Sequence, residues 1–330
     1  MVDLFSSQPG YDIGLVSVTG TVVARAHGHP RSVINDALEL PYISASSSRV
    51  YYLDGDRQIR WVKPDGSLGT SVTVPGGAHV HAAFAVSPDD LRIAVALLDY
   101  SVNPVALTIY VENMGGGNHS VIFTSTGKYV WPVGWRNGQL VVAYIGPNAV
   151  PFKSQAIMYT GRDLISYPYG PNPYGGINVH VISPVTAQRS AIVGGGGNSG
   201  LLTVAGSAIV QGGMVDWTGQ YTWSSAIGYG SISSAGSLAP DGKKVVACCW
   251  PSPAAEGRLA AWYPDGTSKP IQAAGTSGDW AGWFDNTHLI TGFYQRADGT
   301  PSVVDIDSGV ALPVDVRGIV AAMLPGSLDP

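Results

Sequence analysis

Seven stretches of this chain repeat one pattern: a short apolar strand, a tight turn, and a second short strand. They lie at residues 15–20, 61–66, 110–116, 180–186, 214–219, 262–266 and 303–309, and Trp262-Tyr263-Pro264-Asp265-Gly266 is the clearest copy. Most are spaced by roughly 33 to 50 residues, with one gap of about 70 that marks an insertion; recurrence in this range is the signature of a repeat architecture.

The strands between these turns come in fours. Residues 43–46, 50–53, 59–62 and 71–74 read as consecutive short strands, with Asp54-Gly55 and Pro64-Asp65-Gly66 as turns between them. The same reading gives 82–86, 92–98, 107–112 and 120–124, then 131–135, 140–145, 177–183 and 190–193. Residues 201–227 form a compressed unit, followed by two more units at 234–273 and 280–316. The N-terminal hairpin, 13–18 with 21–26, lacks a first strand, and residues 318–324 supply a strand with no successor. Joining the two ends closes a ring and removes the exposed sheet edges that otherwise invite aggregation. A four-stranded unit of about 45 residues matches the blade of a β-propeller. The expectation is therefore an all-β fold: one β-propeller domain over residues 1–330, of seven four-stranded antiparallel blades, the first closed by both termini, with six blades as the alternative. Residues 146–176 form a loop inserted in the third unit counted from Ile43.

Two turns carry a family likeness. Ser87-Pro88-Asp89-Asp90-Leu91-Arg92-Ile93-Ala94 and Ala239-Pro240-Asp241-Gly242-Lys243-Lys244-Val245-Val246 resemble the Ser-Pro-Asp-Gly turn between first and second blade strands in TolB-like and WD-repeat-like bacterial β-propellers. In such a turn Pro presets φ, Asp bonds its own backbone and Gly accepts a positive φ. Asp90 stands where the family has Gly, Ala239 stands where it has Ser, and the Trp-Asp ending of WD repeats is absent. The resemblance implies the fold and a binding or scaffold role. It carries over no catalytic residue.

Composition narrows the partners. Charged residues make up 12% of the chain, about half the usual fraction, and the net charge of -5 comes with no basic cluster. Nucleic acid is thus not an expected partner, since it needs a basic stripe to release counterions. Nine Trp and sixteen Tyr argue for packed cores despite 43 Gly. No apolar run is long enough for a spanning helix and no signal peptide is legible. The few lysines and the Ser/Thr/Gly-rich turns suggest an extracytoplasmic bacterial protein. The two cysteines, Cys248 and Cys249, are adjacent and read as small buried side chains.

Searches for catalytic motifs return little. No nucleophile elbow, zinc-protease helix or P-loop is present. The Gly-rich run 195–200 precedes a strand, where a dinucleotide site needs a helix. His79 and His81, two apart at the start of a strand, would share one face at the mouth of the channel, although two ligands do not make a metal site. His27 and His29 flank a loop, and Asp54 with Asp56 reads as a turn. Aromatic residues stand out more. Trp131 and Trp280 open first strands, and the inserted loop carries Tyr159, Tyr167, Tyr169 and Tyr174. Such side chains offer large contact area with a polar tip, which suits sugar or peptide recognition. Trp135 and Trp283, deeper in their strands, read as wedges between blades.

The expected function is a non-catalytic propeller that binds a carbohydrate, peptide or protein on the face bearing the 146–176 loop and the channel mouth. No cofactor is expected and the metal is unassigned. The expected ligand-binding residues are His79, His81, Trp131, Trp280, Tyr159, Tyr167, Tyr169 and Tyr174. One alternative is an extracellular polysaccharide hydrolase or lyase using His79 or His81; another is a scaffold within a surface assembly.

Overall fold

The computed structural model describes residues 2–3, 8–32, 43–145, 176–193, 202–209, 213–224, 237–248, 259–271, 281–291, 301–316, 324, 326 and 328–330. Every regular element among them is a strand, and the strands form seven antiparallel sheets, each built from sequence neighbours. The first sheet holds Val2–Asp3, Tyr11–Val16 and Val22–Gly28. The second holds Ile43–Ala45, Val50–Asp54, Gln58–Val62 and Leu68–Thr73. The third holds Val80–Val86, Arg92–Asp99, Ala106–Asn113 and Ser120–Ser125, and the fourth Tyr129–Arg136, Gln139–Ile145, Gly176–Ile182 and Arg189–Val193. The fifth holds Ser207–Ile209, Gly213–Val215 and Tyr221–Ser224. Ser237–Leu238, Val245–Cys248, Leu259–Trp262 and Ser268–Pro270 make the sixth; Ala281–Trp283, His288–Thr291, Ser302–Asp305 and Ala311–Pro313 make the seventh.

The protein is an all-β β-propeller in which, among the described residues, five blades reach four strands, which corrects the expectation of seven such blades or six. Two sheets have three strands because neither has a first strand among the described residues. In the first sheet Val2–Asp3 occupies the flank of Tyr11–Val16, pairing Val2 with Ile13 and Asp3 with Asp12. The 318–324 stretch was expected there; of it only Leu324 is described, packed against the core that includes Tyr11 and Ile43. In the fifth sheet the chain before Ser207 adds only the bridge Thr203↔Gly206.

First strands pack side by side as the inner ring: Ile43–Ala45 against Val80–Val86, Val80–Val86 against Tyr129–Arg136, and Ser237–Leu238 against Ala281–Trp283. The core lies in slabs between consecutive sheets. Trp131 and Trp135 pack with Ala83, Ala94 and Leu107, joining the third and fourth sheets. Val179 and Val193 meet Val215 between the fourth and fifth. The ring closes where Val16 of the first sheet joins Ile290, Val303 and Val314 of the seventh, and the Arg25 guanidinium donates to the Asp315 carbonyl at 3.3 Å. Being packed on both faces, Val80–Val86 is buried at almost every position, and period-two alternation disappears from it. The outer strand Leu68–Thr73 keeps exposed positions throughout.

All seven repeated turns join a sheet's last two strands; five share one hydrogen-bond pattern, and those at Ser183 and Asp305 are one residue longer. Lys63 N–H donates to the Ser67 carbonyl and Gly66 N–H to the Lys63 carbonyl; Asp216 with Gln220 and Gly219, and Tyr263 with Thr267 and Gly266, repeat it. The closing residue takes a positive φ each time, and six of the seven are Gly; Ala187, at φ +55°, is the exception. Gly219 tests how much that position matters. Its φ is +84°, and a Cβ there would lie 2.4 Å from the Ile192 carbonyl oxygen of the neighbouring sheet; Gly66 has the same φ with open space around it. Gly219→Ala should therefore cost about 1–3 kcal/mol, and clearly more than Gly66→Ala, in paired denaturant titrations. Equal losses would show that φ alone, without the carbonyl, sets the cost.

The two family-like turns also superimpose in their bonding. Ser87 N–H donates to the Arg92 carbonyl and Asp90 N–H to Ser87, as Ala239 does to Lys244 and Gly242 to Ala239. Asp90 adopts the Gly conformation, φ +61° beside +70° for Gly242. Its carboxylate explains the substitution, because it accepts from the Tyr51 hydroxyl of the second sheet at 2.8 Å, with Arg49 Nε at 3.7 Å. A residue that strains one turn thus ties two blades together.

Candidate functional site

The two sides of the ring are built differently. One side carries the tight turns that join first to second and third to fourth strands. Here the chain's own C-terminal segment crosses from one inner strand to another. Gly326 N–H donates to the Ser46 carbonyl at 2.6 Å, beyond Ile43–Ala45. The Arg136 guanidinium donates to the Leu328 carbonyl and, at 3.2 Å, to that of Val204, while Asn137 N–H donates to the Asp329 carboxylate. Arg136 also stacks 4.6 Å over the Trp217 ring. This segment thus bonds to the second and fourth sheets at the ends of their inner strands.

The other side carries the connections into first strands and between second and third strands. In the fourth sheet the second and third strands pair as far as Ile145↔Gly176, and residues 146–175 connect them at this edge. In the second sheet the same connection closes tightly after Asp54↔Gln58.

Beside that second-sheet turn lies a polar cluster. Leaving Val22–Gly28, the chain runs over the turn, and Asp54 holds it there: the carboxylate accepts from His29 N–H at 2.7 Å, His29 Nδ1 at 2.6 Å and the Arg60 guanidinium at 3.3 Å. Asp56 accepts from both the backbone N–H and the hydroxyl of Ser32, each at 2.6 Å. His27 Nδ1 sits 2.7 Å from Asp12, and its ring meets that of His29 edge-on at 5.8 Å. Burial pushes the Asp54 carboxyl up, but the His29 backbone and ring donors and Arg60 outweigh it and hold the group below the ordinary carboxylate range. An ionised Asp54 only accepts, so Nδ1 of His29 carries a proton. Nε2 then belongs to a side chain that is 69% exposed. Chemically this is a latch with an oriented imidazole at its rim. Sequence inspection separates its parts, because His27-x-His29 and Asp54-Gly55-Asp56 lie far apart along the chain and only the packing of the first sheet on the second joins them.

The expected site residues fall in three groups. His79 is exposed in the turn before Val80–Val86, and its carbonyl accepts from Tyr100 N–H at 2.8 Å. His81 is 4% exposed: Nε2 lies 3.2 Å from the Ser32 carbonyl, and the ring meets Tyr100 edge-on at 5.7 Å. The two histidines therefore do not line one open surface, because His79 lies outside the strand and the period-two rule does not reach it. Trp131 is 1% exposed inside the slab between the third and fourth sheets, a core position rather than a loop edge. Trp135 and Trp283 are also core. Trp280, Tyr159, Tyr167, Tyr169 and Tyr174 lie outside the described residues, as do Cys249 and the Gly-rich run 195–200. No three His, Cys, Asp or Glu side chains converge as a metal site among the described residues. No helix among them is long and apolar enough to cross a membrane.

No protein-family model matches the chain, and no curated protein matches its sequence. Solved structures do. A chain of the mitotic checkpoint complex aligns over 89% of this chain and 83% of its own length with a TM-score of 0.51 at 10% identity. The Dos1 propeller aligns over 92% and 85% with a TM-score of 0.41 at 13% identity. TolB from Acinetobacter baumannii aligns over 84% of this chain and 64% of its own with a TM-score of 0.41 at 14% identity. The arrangement of the sheets defines the class as a β-propeller, and the likeness to TolB is one of fold alone.

Proposed function

We propose that this protein is a non-catalytic β-propeller that binds a carbohydrate, peptide or protein segment on the face bearing the 146–176 connection and the channel mouth. The observation that carries the reading is the pairing Ile145↔Gly176. It returns the chain to where it left the sheet, on the side not crossed by the C-terminal segment, after a stretch containing Tyr159, Tyr167, Tyr169 and Tyr174. Connections of this length in a compact fold are commonly functional. Exposed His79 belongs to the same side by its place before Val80–Val86, and Trp280 directly precedes Ala281–Trp283 in the sequence. His81 and Trp131, being buried, would shape the wall beneath the ligand rather than its surface. The scarcity of charge fits an extracytoplasmic location, which we include in the proposal.

Replacing residues 150–174 by a short Gly-Ser linker tests this. Binding to immobilised glycan and peptide arrays should vanish while the thermal midpoint of the ring stays within about 3 °C, a shift of about 2 kcal/mol at this size. Undiminished binding by the shortened protein would overturn the reading.

A further inference from the structure

A cavity of about 360 Å³ opens between the third and fourth sheets, outside the slab filled by Trp131 and Trp135. Its volume is within the range of small-molecule sites. One wall is Phe123, from the outer strand Ser120–Ser125. The floor is Val142 and His180, which pair across neighbouring strands, with Ile182 beside them. Val130 closes the inner end. On the opposite face of the same sheet Val141, Val179 and Val193 are fully buried.

Charge in the lining has one sign. Lys128, directly before the inner strand Tyr129–Arg136, and Arg189, in the outer strand Arg189–Val193, both line it, and no Asp or Glu is among the lining residues. His180 is no third cation, since burial and then the Arg189 charge pull its pKa below the ordinary value. It contributes a neutral, hydrogen-bonding floor. Ala187 forms part of the outer wall at φ +55°, in the turn position that Gly holds in the other six copies. Its methyl group lines the cavity in a strained conformation, and such strain concentrates at binding sites.

We propose that this inter-blade cavity binds a small amphipathic carboxylate, an aryl or short-chain acid. Its apolar body lies against Phe123, Val130, Val142 and Ile182, and its carboxylate faces Arg189 and Lys128. Arg offers the planar fork that matches a carboxylate, and Lys adds a mobile point charge. The site is separate from the loop-face reading and does not depend on it.

Benzoate and its neutral counterpart benzamide, titrated into the full chain by isothermal calorimetry and amide-shift NMR, test the assignment. Benzoate should bind saturably, with benzamide and the K128Q/R189Q double variant each weaker by at least about tenfold, the scale of a charge-assisted pair. Both substituted residues are exposed, so the variant keeps its unfolding midpoint. Val130→Phe, which fills the cavity without touching charge, should also abolish binding. The proposal is overturned by no saturable benzoate binding up to its solubility limit, by benzamide binding as tightly, or by undiminished binding in the double variant.

Discussion

Replacing Trp135 with Ala is expected to lower stability by about 3–5 kcal/mol, the range for truncating a buried large aromatic. The residue is 1% exposed and interacts in three ways. Its ring fills the slab between the third and fourth sheets. Its Nε1–H donates to the Ala85 carbonyl at 3.0 Å, reaching across to the neighbouring first strand. The Arg92 guanidinium covers its face at 4.7 Å. Truncation leaves a cavity, an acceptor without its side-chain donor and a cation without its ring. Trp135→Phe separates these contributions in part, because it keeps most of the apolar volume and removes the N–H with one of the two fused rings, at a cost of about 1–3 kcal/mol. Denaturant midpoints of the three proteins check the order. A Phe variant as damaged as the Ala variant would mean that the hydrogen bond, not the packing, joins these blades.

Asp54→Ala should cost about 2 kcal/mol, less than a fully buried pair because His29 and Arg60 are partly solvated. Asp54 itself is 10% exposed, and its loss leaves Arg60 and the His29 backbone N–H without their acceptor. The same change should raise amide exchange at residues 29–32, since that segment is held by Asp54 and Asp56. Acid weakens the latch in a defined direction. The folded carboxyl lies below its unfolded value of 3.8, so its contribution is full above that value and is lost as pH falls through the lower folded one. The gap in thermal midpoint between wild type and Asp54→Ala should therefore be constant at neutral pH and close below about pH 4. A gap that persists at pH 2 would mean that Asp54 contributes by packing rather than charge.

Much of the architecture is legible in the sequence because turns are local. Positive φ at Gly66, Gly219 and Gly266 depends on a few neighbouring residues, and short apolar strands between such turns have few other ways to be buried. The reading went astray where distant residues decide. Val2–Asp3 pairs with Tyr11–Val16, although no strand is expected from the sequence before residue 13. The period-two rule put His79 and His81 on one face, but the strand begins at Val80. Trp131 looked like a loop-edge aromatic; the neighbouring third sheet buries it.

By itself, then, the sequence determined the repeat and the all-β class, since both rest on local turn chemistry and strand periodicity. Only the tertiary structure decided that five sheets reach four strands, that His29 is latched to Asp54, and that Lys128 and Arg189 share one cavity. Strand pairing and blade packing bring together residues far apart along the chain, and no spacing rule encodes which side chain a neighbouring blade will cover.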